Sequence, residues 1–157
     1  MSDAARVIAH LVARGESVAT AESLTGGLVA AALTDPPGAS AAFRGAIVAY
    51  HSDLKSRLVG VDAHVLAAGG AVQPEVARQL AAGARATLAS TWGVGTTGAA
   101  GPEPSDGKDV GTVYVAVSGP GTDRVAELRL DGDRAAVRSA TVAAALSLLA
   151  QCCGMAS

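Results

Sequence analysis

Aromatic side chains are scarce in this sequence: one Phe, one Trp and two Tyr make up 3% of 157 residues, although half of the residues are hydrophobic. A core of that composition is made of Ala, Val and Leu, small side chains that suit close packing of helices on a sheet. Strong charge of either sign is missing as well. Twelve Lys and Arg against 14 Asp and Glu leave a formal net charge of -2, with no basic footprint for a phosphate backbone, so no direct nucleic-acid ligand is expected. The two cysteines, Cys152 and Cys153, are adjacent, which is neither a disulfide framework nor a spaced zinc set, and a reduced, cytoplasmic setting follows. No basic segment followed by an apolar run opens the chain, and no uninterrupted stretch approaches the roughly 20 apolar residues of a bilayer span, so no membrane association is expected. Histidine is equally sparse. His10 and His64 fall on predicted helical surfaces, and His51, a candidate for a pocket wall, lacks the neighbouring ligands that a metal site needs.

What is present fits one domain over residues 1–157, long enough to bury a core without staples. Ser2 or Asp3 can cap a first helix with Val7, Ile8, Leu11 and Val12 on one face and Gly15 where a left-handed terminator is wanted. A strand is predicted at 17–21, a helix at about 25–33 that stops before Pro36-Pro37-Gly38, and a second strand at 43–50. Ser52 or Asp53 can cap a short helix, another short helical piece covers 62–69, and Gln73-Pro74-Glu75 opens a longer helix carrying Val76, Leu80, Ala84 and Leu88 on one face. Gly83 inside that helix costs about 1 kcal/mol relative to Ala and marks a close approach to another backbone. A strand at 92–96, strands at 110–118 and 124–130 joined by a five-residue hairpin connection, and a last helix capped by Asp131 or Asp133 complete the pattern. The order of elements implies an α/β fold: a mixed parallel and antiparallel sheet covered on both faces, a three-layer α/β/α sandwich.

Two junctions in this pattern carry possible chemistry. In Val18 to Leu28, VATAESLTGGL, a strand breaks into a small polar turn before a helix, and such a junction leaves backbone N–H donors unpaired. Ser23 inside the turn is a nucleophile candidate, with Thr25, Gly26 and Gly27 as oxyanion donors; an ordinary capped helix would use the same residues. In AYHSDLKSRLVGV, Lys55 falls in the first turn of a helix, where a cation is disfavoured and pushed toward its neutral, proton-accepting form; a plain surface lysine is the alternative. The glycine-rich turn TGAAGP and the polar loop EPSDGKD after it are either a ligand wall or a simple connection.

Taken together, TAESLTGG at 20–27, AYHSDLKSRLVGV at 49–61, GAVQPEVA at 70–77, TGAAGP at 97–102, VGTVYVAV at 110–117 and GDRAAVR at 132–138 resemble the CinA C-terminal family, the bacterial nicotinamide-nucleotide amidohydrolases. The resemblance runs through nearly the whole chain in one order and implies an α/β/α sandwich. It further implies deamidation of nicotinamide mononucleotide (NMN) to nicotinic acid mononucleotide and ammonia, without metal or other cofactor. It assigns the nucleophile to Ser23 and, from the Y-x4-K segment, a base to Lys55 and a supporting role to Tyr50, which would hold the lysine amine or relay its proton. A lysine base working near neutrality needs its pKa of about 10.4 lowered by roughly three units. Ribose and phosphate would be held by the turn of Thr97, Gly98, Ala99 and Gly101 and by Arg44 or Lys108. Departures from the family pattern are Leu24 where a cysteine is common, Gln73 where serine is usual and Asp109 where proline often precedes VGT. The stand-alone form, without the N-terminal pyrophosphatase-like domain of full-length CinA, and assembly as a dimer or higher homo-oligomer are the further expectations. The alternative is a catalytically inactive nucleotide-binding or regulatory module linked to competence or DNA damage; an amidase for another small amide would use the same residues.

Overall fold

The computed structural model describes residues 1–156. Six helices, α1 (Asp3–Arg14), α2 (Leu28–Thr34), α3 (Ser52–Val59), α4 (Ala63–Gly69), α5 (Pro74–Thr87) and α6 (Arg134–Cys152), surround five strands, β1 (Val18–Glu22), β2 (Phe43–Val48), β3 (Trp92–Gly98), β4 (Thr112–Gly119) and β5 (Thr122–Arg129). The sheet order is β2-β1-β3-β4-β5, with β1 parallel to both β2 and β3, and β4 antiparallel to β3 and β5. This is the mixed sheet expected from the order of elements.

The alternation along β4 shows how the layers form. Val113, Val115 and Val117 face a core shared with Val29 and Leu33 of α2, Val7 and Leu11 of α1 and Leu149 of α6. Tyr114 and Ala116 face the other side, with Ala77 and Ala81 of α5. The scarcity of aromatics is visible here. At Gly93 and Gly95 of β3 any Cβ would meet the backbone of Ala81 and Ala77, so α5 lies directly on the strand. Gly83, expected to mark a close contact, faces the Val59 carbonyl at the end of α3.

Several boundaries differ from expectation. β1 extends to Glu22 and β3 to Gly98, which makes Glu22, Thr97 and Gly98 strand residues rather than turn residues. The β4–β5 connection is the two residues Pro120 and Gly121, since the ladder continues to the Gly119–Thr122 pair. His51, not Ser52 or Asp53, occupies the cap position of α3. One helix, α6, reaches the length and mean hydropathy (1.4) of a membrane span, but Arg134 and Arg138 interrupt its apolar run, and it packs Val137, Thr141, Ala145, Leu146, Leu148 and Leu149 inward.

The connection leaving β1 packs on one face through α2, while β2 returns through α3, α4 and α5 on the other face to reach β3. Between the carboxyl ends of β1 and β3 the outgoing chains therefore diverge, and a crevice opens there.

Candidate active site

Five chain segments meet in that crevice: the turn after β1, the start of α3 after β2, the connection between α4 and α5, the end of β3 with the loop after it, and the start of α6. They line a cavity of about 360 Å³ that holds Ser23, Lys55, Tyr50, Thr97 and Arg134 on its walls, within the range of small-molecule sites. Ser23 is anchored to β3 by its N–H, which donates to the Thr96 carbonyl at 3.0 Å.

Lys55 is 1% exposed. Its Nζ donates to Ser23 Oγ at 2.9 Å, to the Ala49 carbonyl at 2.8 Å and to the Tyr50 carbonyl at 3.0 Å. Burial pushes its pKa from 10.5 down to about 8, against an opposing pull from the Asp106 carboxylate. The three acceptors are not equivalent. Carbonyl oxygens can only accept, so a neutral amine keeps its two N–H groups on Ala49 and Tyr50 and turns its lone pair toward the Ser23 hydroxyl. That is the geometry of a general base beside a nucleophile.

The turn carrying Ser23 is held from two sides by charged groups. Glu22, fully buried, accepts from Thr25 Oγ1 at 2.7 Å, Thr20 Oγ1 at 3.0 Å and the backbone N–H groups of Gly27, Val29 and Ala30 at 3.2, 2.9 and 3.0 Å. It satisfies the start of α2, whose cap residue Gly27 has no side chain to do so. On the opposite side Arg138 of α6 donates Nε to the Leu24 carbonyl at 2.9 Å and Nη2 to the Thr25 carbonyl at 3.3 Å.

These bonds correct the expected oxyanion donors. The Gly27 N–H is bound to Glu22 and the Gly26 N–H to the Ser23 carbonyl at 3.0 Å, so neither is available to a ligand. The backbone N–H groups of Leu24 and Thr25 meet no acceptor among the described residues, and Leu24 borders the cavity. Tyr50 also differs from expectation. It follows β2, is 55% exposed and reaches Lys55 through its carbonyl only. Its hydroxyl accepts from Arg134 Nη2 at 3.0 Å, while Arg134 Nη1 donates to the Gly101 carbonyl at 2.7 Å. Arg134 thus bridges two walls of the cavity.

Thr97, Gly98, Ala99 and Gly101 all line the cavity, and Thr97 Oγ1 donates to the Ala71 carbonyl at 2.7 Å. Arg44 and Lys108 do not. Arg44 begins β2, at the amino end of a strand whose carboxyl end faces the site, and binds the Leu88 carbonyl. Lys108 pairs with Ser105 beyond the loop tip and borders a separate depression with Arg129 and Asp131. His51 pairs with Asp53 on the surface, outside the cavity. No cluster of metal-binding side chains occurs among the described residues.

Arg134, Arg138 and Glu22 are the residues that sequence reasoning left without a role. For Arg134 the signal was there: like Lys55 it is a cation in the first turn of a helix, the position that disfavours one. For Glu22 the signal was an acid at the end of a strand with a helix start just beyond it. For Arg138 the one signal was its place in the GDRAAVR segment of the resemblance, which gave it no role because its partners lie 113 and 114 residues away.

A CinA-like protein from Frankia casuarinae is 48% identical over 143 residues, covering 91% of this chain and 33% of that protein. Another from Anaeromyxobacter sp. (strain K) is 53% identical over 145 residues, 91% of this chain and 35% of that one. The chain thus spans about a third of the length of these curated relatives. The crystal structure of a competence-damaged protein (CinA) superfamily protein from Klebsiella pneumoniae superposes with a TM-score of 0.91 at 31% identity, covering 95% of this chain and 94% of that one. The competence/damage inducible protein CihA from Agrobacterium tumefaciens gives 0.87 at 35% identity, covering 96% of each. The family model described as the CinA C-terminal domain matches residues 2–153, and on that match and these shared folds the chain belongs to the CinA C-terminal domain family.

Proposed function

We propose that this chain is an amidohydrolase that deamidates nicotinamide mononucleotide through a Ser23 nucleophile and a Lys55 base, in the reduced cytoplasm. The observation that carries the reading is the buried Lys55 amine, 2.9 Å from Ser23 Oγ, with two carbonyls to hold its N–H groups. A structural lysine has no need of burial against a serine, and the cost of burying it is recovered if the neutral amine is the working form.

In this reading Ser23 Oγ attacks the carboxamide carbon as its proton passes to Lys55 Nζ. The N–H groups of Leu24 and Thr25 receive the charge on the former carbonyl oxygen, and Lys55 returns the proton to the departing nitrogen, which leaves as ammonia. Water then attacks the nicotinoyl ester, its proton taken by Lys55 and delivered to Ser23 Oγ, and the free acid departs. Arg134 at the cavity wall, in place of Arg44 or Lys108, is the cation for the phosphate. Assembly into a homo-oligomer belongs to the same reading, with Leu28 at the start of α2 and Val48 at the end of the edge strand β2 leaving apolar surface open.

The test is ammonia release from NMN by the purified chain, beside nicotinamide and NAD. The expected result is turnover of NMN, abolished in Ser23→Ala with the fold retained and NMN still bound. Near wild-type turnover in Ser23→Ala removes the nucleophile assignment. Binding of NMN without turnover by the wild-type chain replaces the enzyme with a binding module.

A further inference from the structure

The outer wall of the cavity carries a carboxylate that the reaction above does not use. Asp106 borders the same cavity as Ser23 and Lys55, and it is no loose surface acid. Its Oδ2 accepts from the Ala71 N–H at 2.8 Å, and the Ala71 carbonyl is in turn held by Thr97 Oγ1 at 2.7 Å. Gly70 makes that approach possible, because a Cβ there would lie 2.7 Å from both Cβ and Cγ of Asp106. Asp106 itself has φ 50 and Gly107 φ 74, two left-handed residues in a turn closed by the Ser105–Lys108 pair. Such a conformation is unfavourable for a residue with a side chain, so the loop holds the carboxylate in place at some conformational cost. Its second oxygen, Oδ1, accepts no hydrogen bond among the described residues. Glu103 also borders the cavity but has no backbone anchor.

Electrostatically, Asp106 is the charged group that acts on Lys55. The mechanism needs Lys55 neutral. In that state Asp106 faces the cavity without the lysine cation that balanced it; Arg134, bonded only to the neutral Tyr50 hydroxyl and Gly101 carbonyl, keeps its charge at the cavity, where the proposed reading gives it to the phosphate. Asp106 is exposed at the cavity rim, and a negative charge fixed there favours a ligand that brings its own positive charge, by the modest amount of a solvent-screened pair. An N-alkylated nicotinamide has one, in its pyridinium ring, and free nicotinamide does not.

We propose that Asp106 is a specificity-determining residue: its carboxylate selects aromatic amides whose ring is cationic over their neutral counterparts. The identity of the amide rests on the amidase reading; the preference for a cation does not. The charge also fits the chemistry, since a cationic ring withdraws electrons from the carboxamide and eases attack by Ser23.

The two probes are N1-methylnicotinamide and nicotinamide, which differ by a methyl group and one positive charge, titrated calorimetrically into wild type and Asp106→Asn about one unit above the Lys55 pKa of about 8. Asparagine tolerates the left-handed turn and can still accept from Ala71, so the variant removes charge and keeps the anchor. Wild type is expected to favour the cation by roughly three- to fivefold, and Asp106→Asn to bring the ratio close to one. Removing Asp106 also makes Lys55 neutral more readily, which by itself would raise affinity for the cation, so a fall in the ratio comes from the lost carboxylate. A wild-type chain that binds both probes equally or does not bind the cation, or a variant that keeps the full preference, overturns the proposal. Because only binding is read, this result stands apart from ammonia release, whose failure would count against the amidase reading alone.

Discussion

At Lys55 the arrangement of acceptors matters more than the depth of burial. Burial drives the amine toward its neutral form and the Asp106 carboxylate opposes this, so the group holds its proton up to about pH 8. Above that, the lone pair has one direction to point, toward Ser23. The rate constant kcat/KM for NMN should therefore rise about tenfold per pH unit below the Lys55 pKa and level off above about 8, a profile read directly from initial rates. Lys55→Arg keeps the charge but cannot lose its proton in this range, so turnover should fall by about 10²–10⁴ with no alkaline recovery. An unchanged profile in that variant would remove Lys55 from the proton path.

The strand–turn–helix unit of β1 and α2 shows how one buried acid shapes the turn that carries Ser23. Glu22 gathers five donors on two oxygens and closes the first turn of α2, which leaves the N–H groups of Leu24 and Thr25 without partners among the described residues. In Glu22→Gln the side-chain amide brings an N–H against donors that lose their acceptor. That variant should be destabilised by about 2–4 kcal/mol, lowering Tm by roughly 5–15 °C in a thermal melt for a chain of this length. Glu22→Gln with an unaltered Tm would mean that the turn is held by Arg138 and the strand pairing instead.

For the molecule as a whole, the buried base sets a pH dependence of stability. The folded pKa of Lys55 is lowered to about 8 and the unfolded value lies near 10.5. Between those values the unfolded chain binds more protons, so stability from this group rises with pH; its penalty is fully present below about 8 and relieved by about 10.5. Cys152 and Cys153, whose thiol pKa values burial pushes up, oppose this trend in the same alkaline range. The stability difference between wild type and Lys55→Met cancels them, and across that window it should shift by about 3 kcal/mol in favour of wild type, measured by urea unfolding at several pH values. A flat difference would place the Lys55 amine in water.

Period-two alternation, helix caps such as Ser2 and the Gly15 terminator, and the two unusual junctions at Ser23 and Lys55 were all legible in the chain, because each depends on neighbours within a few residues. That determined the elements and their layers; the assignment of Ser23 and Lys55 as a pair came from the family resemblance, not from local spacing. Tertiary structure decided the rest: that Arg44 lies at the far end of β2, that Tyr50 serves by its carbonyl, that Arg134 and Asp106 reach the cavity, and that Glu22 and Arg138 grip the nucleophile turn. Those placements follow from which strand ends share an edge of the sheet and which helix crosses them. Contacts such as Arg138 to Leu24, 114 residues apart, leave no trace in local spacing, because what brings them together is the packing of the whole core.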